Sequence, residues 1–235
     1  MKIGLFTDAH YCNKEVTCTT RRPLLSYDKI KEAMEFFDGA DLVICLGDLV
    51  DDCGGKEDNI QAIKSISRLI HSYNKPFYCL MGNHDCQNFT KEEFDEFTDG
   101  SYPPFSLCVG ENALVFLDAN YTDDQLNYLP GKVDWSISYI PHNQLADLES
   151  ILSDEEIKNV YIFCHQNLET DVQWQHIVRN AAELRQLIEK SHKVKKVIQG
   201  HYHPGHDMEI AGIEYHTLPA MCEGEKNYYE ILEIG

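Results

Sequence analysis

Leu42-Val43-Ile44-Cys45-Leu46-Gly47-Asp48-Leu49-Val50-Asp51 runs from an apolar stretch straight into a glycine and two carboxylates. A short continuous apolar run of this kind reads as a strand buried on both faces, as in parallel sheets. Polar residues placed directly after its carboxyl end occupy the position where open α/β sheets form their binding crevice. The same arrangement recurs outward in both directions. A strand over Lys2 to Thr7 precedes Asp8-Ala9-His10, and one over Pro76 to Met81 precedes Gly82-Asn83-His84-Asp85. Val160 to Cys164 precedes His165, and Val194 to Gln199 precedes Gly200-His201-Tyr202-His203.

Helical periodicity fills the intervals. Ile30, Ala33, Met34 and Phe37 fall at i, i+3, i+4 and i+7, after a capping candidate at Ser26 and before Gly39. Helices are also expected over Ile60 to Ile70, from Pro141 through Leu152, and over Ile177 to Ile188. The middle of the chain differs: Phe105 to Val109 and Ala113 to Leu117 flank Gly110-Glu111-Asn112 as a hairpin, followed by a polar and aromatic loop to about Ile140. Met208 to Ile210, Ile213 to Leu218 and Tyr228 to Ile234 read as antiparallel strands. These elements fit an α/β layered sandwich of two mixed β-sheets flanked by helices, in a single domain over residues 1–235.

Composition narrows the function classes. Hydrophobic residues at 43% and charged residues at 25% give the balance of a soluble globular protein. A formal charge of -19 argues against a face built for long nucleic acid or an anionic membrane, since either needs basic residues to displace counterions. A small phosphorylated substrate fits if bound metal supplies the positive charge. The apolar run at the N-terminus is too short for a secretory signal and nothing approaches a bilayer span, so a cytoplasmic location is expected. Nine cysteines without a C-x-x-C pair indicate neither a zinc ribbon nor a complete disulfide framework, and are expected as reduced, part-buried thiols.

Asp8, His10, Asp48, Asn83, His165, His201 and His203 are the candidate metal ligands. Taken singly, an Asp after a strand more often caps a turn, and a lone His more often satisfies a local hydrogen bond. Seven oxygen and imidazole donors at successive strand ends are another matter. Their chemistry suits Mn, Fe or Zn, and seven exceed what one tetrahedral ion with an open position uses. Two divalent ions about 3.5–4 Å apart, sharing a carboxylate, would use them all.

These five blocks, in this order, resemble those of the calcineurin-like metallophosphoesterases. The resemblance implies the metallo-dependent phosphatase fold and an enzyme that hydrolyses phosphate esters or diphosphates. It implies that Asp8, His10, Asp48 and His203 hold one ion, that Asp48, Asn83, His165 and His201 hold the other, and that Asp48 bridges. It also implies that His84 protonates the leaving oxygen, that Asp85 holds its imidazole, and that Asp51 is an outer partner. Arg21-Arg22 followed by Ser26, Leu117-Asp118-Ala119-Asn120-Tyr121, and Gly212 to Met221 look like the Mn-dependent ADP-ribose/CDP-alcohol diphosphatase branch, which implies manganese and a nucleotide diphosphate. Gln166-Asn167 after His165 departs from the proline common there.

Arg21 and Arg22 are candidates to grip a substrate phosphate, against the plainer reading of a solvated pair. Trp174 and Tyr121 could line the crevice, though packing or exposure is the commoner fate. His71, His142, His176, His192 and His216 lie outside the blocks and receive no function; His206 is a minor candidate. The competing readings are a phosphomonoesterase, a cyclic nucleotide phosphodiesterase, a nuclease, and a non-catalytic scaffold resembling the retromer subunit of this fold. The oligomeric state is not legible.

Overall fold

Alternate side chains along β1 (Lys2–Phe6) serve two different cores, and that division organises the molecule. The computed structural model describes residues 1–14 and 20–235. Ile3 and Leu5 meet Leu42 and Ile44 of β2 (Leu42–Cys45), Leu114 and Phe116 of β5 (Asn112–Leu117), Phe163 of β6 (Asn159–Cys164) and Ile198 of β7 (Val194–Gln199). This layer lies between two sheets. Phe6, Val43 and Cys45 face the other way, against Ile30, Ala33 and Met34 of α1 (Ser26–Phe36) and Ile63, Ile66 and Ile70 of α2 (Lys56–His71). Burying each such aliphatic side chain stabilises by roughly 1.5–3 kcal/mol relative to exposure, so a strand with two apolar faces is fixed from both sides. Gly4 completes the outer packing: a Cβ there would sit 2.6 Å from the ring of Phe37.

The first sheet has the order β10-β1-β2-β3, with β3 at Phe77–Cys79 and β10 at Glu230–Glu233. The second has the order β4-β5-β6-β7-β9-β8, with β4 at Ser106–Val109, β8 at His206–Ile210 and β9 at Ile213–Thr217. β1, β2 and β3 run parallel, as do β5, β6, β7 and β9; β10, β4 and β8 are antiparallel edges. A third core packs the far face of the second sheet, through Val115, Ile162 and Val197, against Leu145 and Leu148 of α5 (His142–Ser153) and Leu184 and Ile188 of α6 (Ala181–Ser191). The layers are therefore helix, sheet, sheet, helix. None of the described helices is long and apolar enough to cross a membrane.

Several local expectations change. Ser26 begins α1 but does not cap it; its hydroxyl donates to the Ala9 carbonyl and ties the helix to the loop after β1. Two helices, α3 (Asn83–Asn88) and α4 (Lys91–Phe97), follow β3 where none was expected. α6 starts at Ala181 and not at Ile177, because residues 176–178 extend along the loop after β6: Asn167 N–H donates to His176 O, and Val178 N–H to Asn167 O. β9 pairs parallel to β7 and antiparallel only to β8. The eight described cysteines are free, all buried except Cys108, while Cys18 lies outside the described residues.

Candidate metal centre

Each ligand candidate sits one to four residues beyond a strand. Asp8, His10, Asp48 and Asn83 come from the first sheet, and His165, His201 and His203 from the second. The chain turns sharply to deliver them: Asp8, His10, Asp48 and His201 all have φ between 45° and 65°. Non-glycine residues adopt that left-handed region at a cost of order 1–3 kcal/mol, a feature that clusters at functional sites. Glycines make room for the turns. A Cβ on Gly82 would lie 2.1 Å from Asp48 Oδ1, and one on Gly47 2.6 Å from His165 Nδ1. One on Gly200 would lie 2.8 Å from Asp8 Oδ2. The glycine in three of the five blocks is thus a steric requirement of the carboxylates and imidazoles packed against it.

Hydrogen bonds orient one atom of each group and leave the other facing inward. Asp8 Oδ2 accepts from Thr7 Oγ1 at 2.6 Å and His201 N at 3.0 Å, so Oδ1 is left 3.5 Å from His203 Nε2 and 3.7 Å from His10 Nε2. Asp48 Oδ1 accepts from His84 N at 2.8 Å, while Oδ2 lies 3.5 Å from His10 Nε2 and 3.4 Å from His165 Nε2. His165 Nδ1 lies 3.0 Å from the Leu46 carbonyl, which accepts a hydrogen bond from Nδ1–H, so that in the neutral ring the lone pair is on Nε2. His203 Nδ1 is 2.6 Å from Glu223 Oε1. Asp8 Oδ1, His10 Nε2, Asn83 Oδ1, His165 Nε2 and His201 Nε2 are buried without a hydrogen-bond partner. Atoms of Asp48, His165 and His201 lie within 4.8 Å of one another, as do those of His10, Asp48 and His84, and those of His10, His203 and Cys222.

The electrostatics favour cations. Burial opposes ionisation of Asp48 and of Asp8, but the surrounding imidazoles, led by His165 for Asp48 and by His10 for Asp8, hold both carboxyls far below the ordinary range. Burial likewise opposes charge on His165 and His203, yet Asp48 pushes the first up to about 9, and the adjoining Asp8 and Cys222 push the second up to about 12. Burial and neighbouring imidazoles push His10 down to about 4 and His201 well below its usual value. A field that retains protons on imidazoles attracts divalent ions, whose binding releases those protons. The residues therefore fit a metal pair.

The partner of His84 differs from the expected one. Its Nδ1 is 3.2 Å from Asp51 Oδ1, whereas Asp85 is fully buried and accepts backbone N–H groups of Leu49, Val50 and Gly82 at 3.0–3.2 Å. Asp85 therefore fastens the turn before α3 to the loop after β2. Asp51 also takes a hydrogen bond from Arg21 Nη1 at 2.8 Å, and that nitrogen lies 3.0 Å from His10 Nδ1. Arg21 lines the cleft over the site; Arg22 folds back on the carbonyls of Thr20 and Arg21 and does not. Burial opposes charge on His84, but Asp48 and Asp51 raise its pKa above the ordinary histidine value.

The cleft has a volume of about 460 Å³, within the usual span for small-molecule sites. Besides the candidates it is lined by Trp135, Gln173, His176, Tyr202 and Glu223. His176 lies 4.9 Å from His201 and 5.4 Å from Trp135 between ring centroids, so these rings form one wall. Tyr202 lies within the last block, and His176, assigned no function from the sequence, reaches the cleft from a short 3-10 turn at Trp174–His176; Trp135, Gln173 and Glu223 carry no sequence signal. Trp174 is 59% exposed and bears against Arg179, Tyr121 pairs with Lys91, and His206 approaches Asp171 at 3.9 Å; none lines the cleft.

The model of the calcineurin-like phosphoesterases matches residues 1–205. The chain belongs to that family. This chain is 26% identical over 205 residues to the 3′,5′-cyclic adenosine monophosphate phosphodiesterase CpdA of Haemophilus influenzae, an alignment taking in 82% of this chain and 65% of that protein's length. It is 23% identical over 242 residues to the manganese-dependent ADP-ribose/CDP-alcohol diphosphatase of Arabidopsis thaliana, covering 86% of this chain and 78% of that protein. A dimetal phosphatase from Danio rerio shares the fold, with a TM-score of 0.78 and 17% identity over 98% of this chain and 91% of that one.

Proposed function

We propose that this phosphoesterase is a two-metal hydrolase of small nucleotide diphosphates and phosphodiesters, with Asp8, His10, Asp48 and His203 at one ion and Asp48, Asn83, His165 and His201 at the other. The observation that carries the reading is that five donor atoms are buried without hydrogen-bond partners at residues grouped with Asp48: those of His10, His165 and His201 beside its carboxylate, that of Asp8 beside His10, and that of Asn83 in the same cleft. Each such atom costs about 1–3 kcal/mol when left unpaired, and metal ligation removes the penalty at all of them together. When bound, a divalent pair supplies positive charge to the phosphoryl oxygens and acidifies the attacking water. The chain's own residues do the rest. His84, held through Nδ1 by Asp51, presents Nε2 to the cleft and protonates the departing oxygen. Arg21 neutralises a phosphoryl group beside the one attacked, and Trp135 with His176 offers an aromatic face to a base.

Nucleotide diphosphates such as ADP-ribose and CDP-alcohols are the favoured class, on the strength of Arg21 in the cleft. Cyclic nucleotides form the second reading, favoured by the retreat of Arg22, since a cyclic diester has no second phosphoryl group to bind. Purified protein assayed with Mn²⁺, Fe²⁺ or Zn²⁺ on ADP-ribose, CDP-choline, 3′,5′-cyclic AMP and nitrophenyl phosphate tests both. Chelator-sensitive cleavage of a diphosphate supports the first and of the cyclic nucleotide the second. Cleavage of monoesters alone returns the assignment to a phosphomonoesterase, and two bound ions without turnover return it to a scaffold.

A further inference from the structure

The segment after β9 is laid against the first metal-binding turn by main-chain hydrogen bonds. Met221 N–H donates to Thr7 O and Cys222 N–H to Asp8 O, both at 3.0 Å, while the Cys222 carbonyl accepts from Arg22 N–H at 2.8 Å. Cys222 is thereby pinned on both sides, with a free thiol and no solvent exposure. Its sulfur and one ring nitrogen each of His10 and His203 lie within 4.8 Å of one another. The next residue, Glu223, holds the far nitrogen of His203. The imidazole therefore lies between Glu223 at Nδ1 and Asp8 Oδ1 at Nε2, with the thiol close by.

We propose that Cys222 Sγ is a ligand of the ion held by Asp8, His10 and His203, so that this half of the centre is a mixed nitrogen, oxygen and sulfur site. The inference rests on the two-metal reading above and adds a ligand to it. Ligands about 2.3 Å (sulfur) and 2.1 Å (nitrogen) from one ion are separated by roughly 3.1 Å when cis and 4.4 Å when trans. The thiol and one nitrogen of each imidazole lie within 4.8 Å of one another, close enough to share an ion after small side-chain adjustments, and the 3.5 Å and 3.7 Å separations of Asp8 Oδ1 from the two Nε2 atoms fall inside that spacing. Asp8 Oδ1 and His10 Nε2 are also buried without partners, so the donors beside the thiol are themselves aimed at a ligand.

The ordinary role of a buried cysteine is that of a small apolar side chain. Cys45, Cys53 and Cys79 fit it, turning their S–H groups to backbone carbonyls of Gly47, Asp51 and Leu80. Cys222 differs in facing imidazoles. On coordination the S–H bond gives way to a metal–sulfur bond and the proton leaves to solvent, with no change of oxidation state. A thiolate shifts preference from manganese towards zinc and iron. The first ion of this centre is accordingly a softer one than the oxygen and imidazole set alone would select.

Zinc-edge X-ray absorption on the zinc-loaded protein reads the ligand directly, because Zn–S at about 2.3 Å is resolved from nitrogen and oxygen at about 2.0–2.2 Å. One sulfur per two zinc ions is expected, and Cys222→Ser removes it. The same variant lowers affinity for Zn²⁺ relative to Mn²⁺ by roughly tenfold or more. A first shell of nitrogen and oxygen only, or a sulfur shell persisting in Cys222→Ser, overturns the cysteine ligand while leaving the metal centre standing. Failure of the wild-type protein to hold zinc while it holds manganese or iron overturns the cysteine ligand alone, and failure to hold any of the three overturns both. If Cys222→Ser does not fold, the Co²⁺-loaded wild type decides: a thiolate-to-cobalt charge-transfer band saturating with the first equivalent supports the ligand, and its absence overturns it.

Discussion

Replacing Asp51 by Asn separates the two carboxylates that could serve His84. Asp51 Oδ1 is 3.2 Å from His84 Nδ1. A hydrogen bond to a charged group contributes about 1.5–3 kcal/mol, and one pKa unit corresponds to about 1.4 kcal/mol, so the His84 pKa should fall by about 1–2 units in Asp51→Asn. As the proposed acid, His84 must be protonated, so activity is lost as pH rises through its pKa. Lowering that pKa moves the basic limb of the kcat profile down by the same amount, and above both pKa values turnover drops about 10- to 100-fold. A nitrophenolate leaving group needs little protonation and hides the effect. Arg21→Ala is the sign control: the guanidinium opposes charge on His84, so its removal moves the limb upward. Asp85→Asn places an amide NH₂ among three backbone N–H groups, costing roughly 1–3 kcal/mol in denaturant midpoint while leaving the limb in place. Profiles measured at saturating metal decide the matter. An unmoved limb in Asp51→Asn, or a moved one in Asp85→Asn, would refute the assignment.

Asp48→Asn removes the carboxylate between His10 and His165 and should lower content of both ions in elemental analysis together with activity; two ions retained with normal turnover sinks the bridging role. Arg21→Ala should reduce kcat/KM on a diphosphate by about 10-fold or more, whereas Arg22→Ala, whose side chain bonds local carbonyls, should stay within about 2-fold. Gly82→Ala drives a methyl into Asp48 Oδ1 and should abolish metal retention in a dialysis assay while far-ultraviolet circular dichroism stays native. Because His165 and His203 must each shed a proton held up to about 9 and about 12, metal affinity should rise by up to about a hundredfold per pH unit below pH 9, as read by chelator competition.

Strands were legible where both faces are buried. β1, β2 and β6 are continuous apolar runs because each lies between a helix layer and the other sheet, and the groups just past their ends are the candidate ligands. α3 carries no apolar period because its six residues begin with the Asn83-His84-Asp85 block and run on through Cys86, Gln87 and Asn88. The start of α6 was misplaced because Ile177 and Val178 match helical spacing but are spent on pairing with the loop after β6. Asp51 and Asp85 have equal claims on His84 in a linear sequence. Only the turn that points Asp85 at backbone amides separates them. Cys222 and Glu223 follow the last block and reach the site through hydrogen bonds spanning nearly the whole chain, a contact no local pattern announces.

Because the candidate ligands are drawn from both sheets, a metal pair held by them would act as a clasp on the sandwich. Asp8, Asp48 and Asn83 belong to one leaf, and His165, His201 and His203 to the other, so with the proposed pair bound any widening between the leaves would first break coordination. Stripping the ions should then loosen more than the cleft. Amides of β1 and β6, paired deep in their sheets, should exchange with deuterium faster in chelator, and the unfolding rate should climb while refolding changes little, since coordination forms after the leaves have closed.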